Sequence, residues 1–205
     1  MKKICIIIFA ITYLGVFSQE DDYINAPDGF FSLNFNPSFP TGTLKENINE
    51  SSFRGFMFEG KKFINKNFAL GGSLSWTGFY ELKDRATYYF DGGAITGNVA
   101  NYYYNFPILV NASYYFLPEN VIKPYVGFNA GTVYSKLEKY VGTIALSDIS
   151  WQFHVAPELG VFIPFGKDAL AGVQIAGKYN YITYQKYKYN GIQYFQLSVG
   201  LAWIL

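Results

Sequence analysis

Apolar and polar residues alternate with a period of two over most of this chain, the spacing that sends successive side chains to opposite faces of a β-strand. In the last eleven residues Phe195, Leu197, Val199, Leu201, Trp203 and Leu205 share one face. Gln196, Ser198, Gly200, Ala202 and Ile204 take the other. Over 170–181 Ala171, Val173, Ile175, Tyr179 and Tyr181 oppose Gly172, Gln174, Ala176, Lys178 and Asn180. Over 149–163 Trp151, Phe153, Val155, Leu159 and Val161 oppose Ser150, Gln152, His154, Ala156, Glu158 and Gly160. The same reading predicts strands at 30–36, 53–63, 68–80, 102–116 and 125–135, eight in all. No long 3.6-period segment exists, and after the first residues no run of about 18 apolar residues could form a membrane helix.

The connections between these strands alternate in length. Short ones fall near 64–67, 117–123 and 164–168; longer, more polar ones fall near 37–52, 81–100 and 136–148, with a medium one near 182–190. Barrels of bacterial outer membranes have an even strand number, short turns on one side and longer loops on the other. Sandwiches show no such rhythm. Alternation alone does not say which face meets lipid, because a soluble sandwich or lipocalin alternates equally well.

Charge separates the two cases. Only 15% of residues are charged, and nearly all of these fall in the turns, the loops and the first segment. Mid-strand charges are chiefly Glu59, Glu158 and Lys178. A soluble sheet dots its solvent face with such residues. Here the polar face is mostly Gly, Ser, Asn and Gln, as a small filled lumen requires, and aromatic residues, 20% of the chain, crowd the other face. The expected fold is all-β: an eight-stranded antiparallel up-and-down transmembrane β-barrel. Two aromatic girdles are expected, one from Trp76, Tyr80, Tyr102, Tyr104, Tyr134, Trp151, Tyr181 and Tyr184 at the long-loop ends. The other comprises Phe63, Phe68, Phe116, Phe165 and Trp203. Pro107 and Pro157 lie inside strands and each removes a ladder bond, which predicts bulges or a locally opened ladder.

Met1-Lys2-Lys3 and the apolar run from Ile4 to Val16, followed by Phe17-Ser18, read as a secretory signal peptide over 1–18, leaving 19–205 as one barrel domain. Thirteen apolar residues are short for a span of roughly 20. The single cysteine, Cys5, lies within that leader and away from its cleavage junction, so neither a lipid anchor nor a disulfide is expected. With 16 basic and 15 acidic residues the chain is near neutral and offers no electrostatic case for nucleic acid.

Ser198-x-Gly200-x-x-Trp203-x-Leu205 resembles the C-terminal signal that assembles bacterial outer-membrane barrels, with Leu205 where Phe is commoner. Phe53-Arg-Gly-Phe56, Asn67-Phe-Ala-Leu-Gly-Gly72, Lys123-Pro-Tyr-Val-Gly127 and Ala156-Pro-Glu-Leu-Gly160 resemble segments of small Bacteroidetes-type barrels. The chain from 19 to 205 is thus similar to the outer membrane protein β-barrel domain group, related in architecture to OmpA and OmpX. The resemblance implies residence in the cell outer membrane, with lipid and the barrel-assembly machinery as partners. It implies no particular chemistry.

Enzymatic barrels need an acid–base residue beside a nucleophile or carboxylate. His154 is the only histidine, and Phe153-His-Val155 lacks the His-x-Ser arrangement of deacylase barrels. It is expected to be a hydrogen-bonded lumen residue, and a lone His without a Cys or second His makes no metal site. Glu59, Glu158, Lys178 and His154 are therefore read as a polar lumen network, with Glu158 and Lys178 approaching diagonally across adjacent strands. Such a network either plugs the barrel and sets its register or gates small solutes; an eight-stranded interior favours the plug. The expected role is non-enzymatic and cofactor-free: a monomeric structural or surface-interaction protein whose longer loops meet any extracellular ligand. Loop 81–100, with Lys83-Asp-Arg85, Tyr88-Tyr-Phe90 and Asp91-Gly-Gly93, is the expected contact surface. A narrow solute channel and a lipid-modifying enzyme are the competing readings.

Overall fold

The computed structural model describes residues 29–90, 92–142, 144–166, 170–184 and 190–205. The expected leader, 1–18, lies outside them. The strands are β1 (Gly29–Phe35), β2 (Ser38–Thr41), β3 (Gly55–Phe63), β4 (Phe68–Phe90), β5 (Gly93–Tyr115), β6 (Lys123–Val141), β7 (Ile144–Pro164), β8 (Ala171–Ile182) and β9 (Ile192–Ile204). A short helix, α1 (Gly42–Asn47), follows β2. From β3 on, each strand pairs antiparallel with the next, and β9 returns to pair with β1 and β2. β1 and β2 together fill one position of an eight-position ring. They are separate because Pro37 has no N–H to donate; its carbonyl still accepts the Leu197 N–H at 2.9 Å.

Closure is staggered. From Ser32 the register runs through Glu59, Ser73, Leu109, Gly131, His154 and Ile182 to Ile192. Ile192 adjoins Gln193, which pairs with Thr41 near the other end of the first ring position. One circuit therefore climbs by about ten residues, a shear that tilts the strands and leaves room inside only for side chains.

The faces are inverted relative to a water-soluble sheet. Ser32, Asn34, Glu59, Ser73, Asn111, Asn129, Gln174 and Ser198 are buried inside, whereas Val110 and Leu159 lie outside at 69% and 68% exposure. Phe31, Leu33, Phe58, Leu74, Phe128, Phe153 and Leu201 extend that apolar exterior around the ring. A continuous belt of this kind is stable only against lipid.

Two expectations need correction, and a third is resolved. Segments 81–100 and 136–148 are not loops: their ladders continue to Phe90↔Gly93 and Val141↔Ile144. Polar composition hid them, because two long strands can pair in water without an apolar face. Tyr184 and Phe63 do not stand in the girdles; both turn inward onto the apolar clusters at the two ends of the lumen. Of the two accommodations expected at the prolines, the locally opened ladder is the one present. β4–β5 pairing lapses between Leu74↔Ile108 and Thr77↔Asn105 beside Pro107, with the register kept. β7–β8 pairing lapses likewise between Val155↔Tyr181 and Glu158↔Lys178 beside Pro157. On its other side each proline stays in the ladder, as Pro107↔Val133 and Phe128↔Pro157. The register shift in β4–β5 lies instead between Lys83 and Ala86.

Candidate functional site: a sealed lumen and a projecting sheet

The lumen is stacked in three layers. At the short-turn end Phe30, Ala69, Tyr115, Tyr125, Phe162, Ala176 and Ala202 pack together, with Phe30 and Phe162 stacked at 5.1 Å. At the long-loop end Phe79, Tyr103, Val133, Ile182, Tyr184, Ile192 and Tyr194 form a second apolar cluster with Leu44 and Ile48. Between them lies a charged layer.

That layer is a closed quartet. Lys178 Nζ stands 3.1 Å from Glu158 and 3.4 Å from Glu59; Lys61 Nζ stands 3.4 Å from Glu59 and 3.6 Å from Glu158. Two acids and two bases cancel, which is how buried charge is tolerated. Neutral donors occupy the remaining carboxylate lone pairs. Tyr125 Oη donates to Glu158 at 2.6 Å and Asn129 Nδ2 at 2.8 Å; Glu59 accepts from Gln174 Nε2 at 2.7 Å and Asn111 Nδ2 at 3.0 Å. Lys61 also lies over the Tyr125 ring, 4.4 Å from its centroid.

Of the sequence-derived lumen residues, Glu59, Glu158 and Lys178 meet here, and Glu158 faces Lys178 directly in register rather than diagonally. His154 does not join the ion pairs. It sits nearer the long-loop end, with Nε2 3.1 Å from Asn180 Oδ1. Lys61 was passed over because Lys61-Lys62 closes a strand and reads as turn charge. Its position two residues after Glu59 was the available signal, since that spacing returns a strand to the same face.

The residues expected to form an assembly signal sit at the seam. Ser198 is buried inside, while Trp203 points outward and stacks on Phe31 at 5.9 Å. Leu205 N–H donates to the Gly29 carbonyl at 2.9 Å. Gly200 lets β1 approach: a Cβ there would lie 2.1 Å from the Leu33 carbonyl oxygen.

The long-loop end is capped from within. Gly42, at φ +50°, turns the chain into α1, which drops Leu44 and Ile48 into the mouth at 0% and 1% exposure. Thr43 N–H donates to Gln193 at 3.1 Å, Thr43 Oγ1 donates to the Gly191 carbonyl, Asn101 Nδ2 donates to the Asn47 carbonyl at 3.2 Å, and Asn49 N–H donates to Glu81 at 2.7 Å. Sequence reading missed this cap because two apolar residues in a polar loop carry no periodicity.

A tilted strand needs roughly 9–11 residues to cross the hydrocarbon. β4 and β5 have 23 residues each, β6 has 19 and β7 has 21. Contacts of Tyr80 with Tyr102 at 4.7 Å and of Tyr134 with Trp151 at 5.5 Å mark the girdle. Beyond it β4–β5–β6–β7 continue as a four-stranded sheet standing clear of the membrane. On that sheet Lys136 donates to Glu138 at 2.7 Å, a hydrogen bond that holds the ammonium above the usual lysine range.

This geometry defines the class: the chain is a small eight-stranded β-barrel of the bacterial outer membrane, built like the OmpA/OmpX-type barrels. Among solved structures it is similar to Neisserial surface protein A, NspA, with TM-score 0.56 and 14% identity, over 87% of this chain and 97% of that one. It also matches the outer membrane protein OprG from Pseudomonas aeruginosa, with TM-score 0.48 and 11% identity over 88% and 97%. No protein-family model matches the chain, and no curated protein matches it.

Proposed function

We propose that this chain is a non-conducting, non-enzymatic barrel that anchors in the outer membrane and presents its projecting sheet for surface interaction. The observation that carries this reading is the filled lumen, in which an ion-pair quartet is enclosed between two aromatic seals. A solute path would have to part both seals and break the quartet. Catalysis is disfavoured by the setting of His154, whose imidazole bonds to an amide inside that closed lumen. The long ladders of β4 to β7 exceed what the membrane requires, so their outer halves are available for recognition.

Planar-bilayer recording separates this role from the channel reading. Purified barrel is expected to add no discrete conductance steps, both intact and with 42–48 replaced by a short Gly/Ser linker, because the short-turn seal remains. Steps from the intact protein would favour the channel. Replacing 84–97 and 138–147 by tight turns should leave the barrel folded, with unchanged heat-modifiable gel mobility.

A further inference from the structure

The segment Lys123-Pro-Tyr-Val-Gly127 opens β6, and two of its residues, Tyr125 and Gly127, face the lumen. Tyr125 bonds to the quartet, whereas Gly127 contributes no side chain. In register Gly127 lies between Ser113 on β5 and Glu158 on β7, with Asn129 next along its own strand on the same face. The four side chains that frame it, Ser113, Tyr125, Asn129 and Glu158, are polar and at most 2% exposed. Most other inward glycines have no room for a side chain. A methyl group on Gly71 or Gly131 would run into the backbone carbonyl of Gly60 or Ile108, and one on Gly160 into the Tyr125 ring at 2.6 Å. At Gly127 the nearest atoms to an added carbon are Ser113 Oγ at 3.1 Å, the Ala112 carbonyl oxygen at 3.4 Å and Glu158 Cβ at 3.5 Å.

Two of the framing groups carry unused hydrogen-bonding capacity. Asn129 Nδ2 donates to the Ala156 carbonyl at 3.0 Å and to Glu158 at 2.8 Å. Those bonds use both of its hydrogens and fix the amide's orientation, because turned over its oxygen would face two acceptors. Oδ1 is thus an acceptor, and among the described residues neither it nor the Ser113 hydroxyl has a partner. The site lies one rung inside the short-turn seal, away from the turns and the ends of the strands. Buried polar groups are costly to leave unbonded, and where the protein supplies no partner an ordered water is the usual one.

We propose that the side-chain position of Gly127 is a binding site for one ordered water molecule. The water accepts the Ser113 hydroxyl hydrogen, donates to Asn129 Oδ1 and gives its second hydrogen to the Ala112 carbonyl, whose oxygen has two lone pairs. Three bonds are usual for a buried water, and a water takes up about the room of the methyl group that glycine lacks. A metal cation fits poorly. The quartet is already neutral, and a further positive charge would stand near Lys61 and Lys178 with no counter-charge. Through Asn129 the water steadies the amide that donates to Glu158, so Gly127 serves the quartet by what it admits. The site goes beyond the surface-interaction reading and does not depend on it.

A crystal structure of the full barrel should show one oxygen-sized peak within hydrogen-bonding distance of both Ser113 Oγ and Asn129 Oδ1. No peak there overturns the proposal, as does an ion with the short, many-fold oxygen contacts of a metal. Urea unfolding of the full barrel in lipid vesicles gives a second measure. Ser113→Ala should raise the unfolding equilibrium constant about two- to tenfold, because a bonded hydroxyl is lost. In a Gly127→Ala background, where the methyl group displaces the water, the same substitution should change it by less than about twofold. A hydroxyl without a water predicts the reverse in the native chain, since removing an unbonded group is neutral or stabilising. That result overturns the water site, as does an equal loss in both backgrounds. If Gly127→Ala does not assemble, the crystal structure and Ser113→Ala alone decide. Discrete conductance with the water in place would sink the sealed, surface-display reading and leave this site standing.

Discussion

Lys178 lies directly across the β7–β8 ladder from Glu158, its Nζ 3.1 Å from the carboxylate, with both side chains closed off from solvent. The pair is half of a ring in which each lysine touches both glutamates, so no single charge can be removed without unbalancing the others.

Lys178→Met is expected to destabilise the folded barrel by ~3–5 kcal/mol, because Glu59 and Glu158 are left sharing Lys61. Combining it with Glu158→Gln restores neutrality and keeps Glu59 with Lys61, so the double variant should be the more stable of the two. Urea unfolding in lipid vesicles measures both. Strict additivity of the two substitutions would show that the charges do not act as a unit.

The outer face makes the opposite demand. Val110 stands outward about midway along the lipid-crossing part of β5, and Val110→Lys should cost ~2–4 kcal/mol in the same unfolding assay. Tolerance of a lysine there would be incompatible with a lipid-facing exterior.

Much of this organisation could be read in the residues themselves. Alternation gave the faces of β7, β8 and β9 because one side of each strand meets lipid and the other a polar lumen, so every position is constrained. Pro107 and Pro157 announced their missing ladder bonds. Features that rest on pairing rather than on faces were harder to read. The outer halves of β4 to β7 are wet on both sides and carry loop-like composition. Pro37 divides the first ring position, and β2 is too short to alternate visibly. Leu44 is buried by a loop folding back, a three-dimensional event with no period. Lys61 was legible only through its spacing from Glu59.

At the seam, Gly200→Ala should disrupt closure, since its methyl group would meet the rigid Leu33 carbonyl at 2.1 Å. Deleting Trp203 to Leu205 removes the outward stack on Phe31 and the last β1–β9 contacts, and is expected to block assembly while secretion continues. Heat-modifiable mobility in outer-membrane fractions reads both. Normal folded barrel from the deletion variant would remove β9 from its assembly role.

The cap offers a separate check. Leu44→Ala should cost ~2–5 kcal/mol at most, and less where the loop relaxes, because a fully buried leucine is truncated. The loss is expected to be local: faster amide exchange over 42–49 with little change in the central strands. Uniform acceleration throughout the barrel would mean that α1 is integral to the fold rather than a lid on it.

Labelling of single cysteines on intact cells tests most directly that the barrel spans the outer membrane and lifts β4 to β7 above it. Thr87→Cys, on the exposed outer part of β4, should react with a membrane-impermeant maleimide on whole cells. Lys66→Cys, in the short turn between β3 and β4, should react only after the outer membrane is permeabilised. Labelling of Lys66→Cys on intact cells with protection of Thr87→Cys would contradict the account.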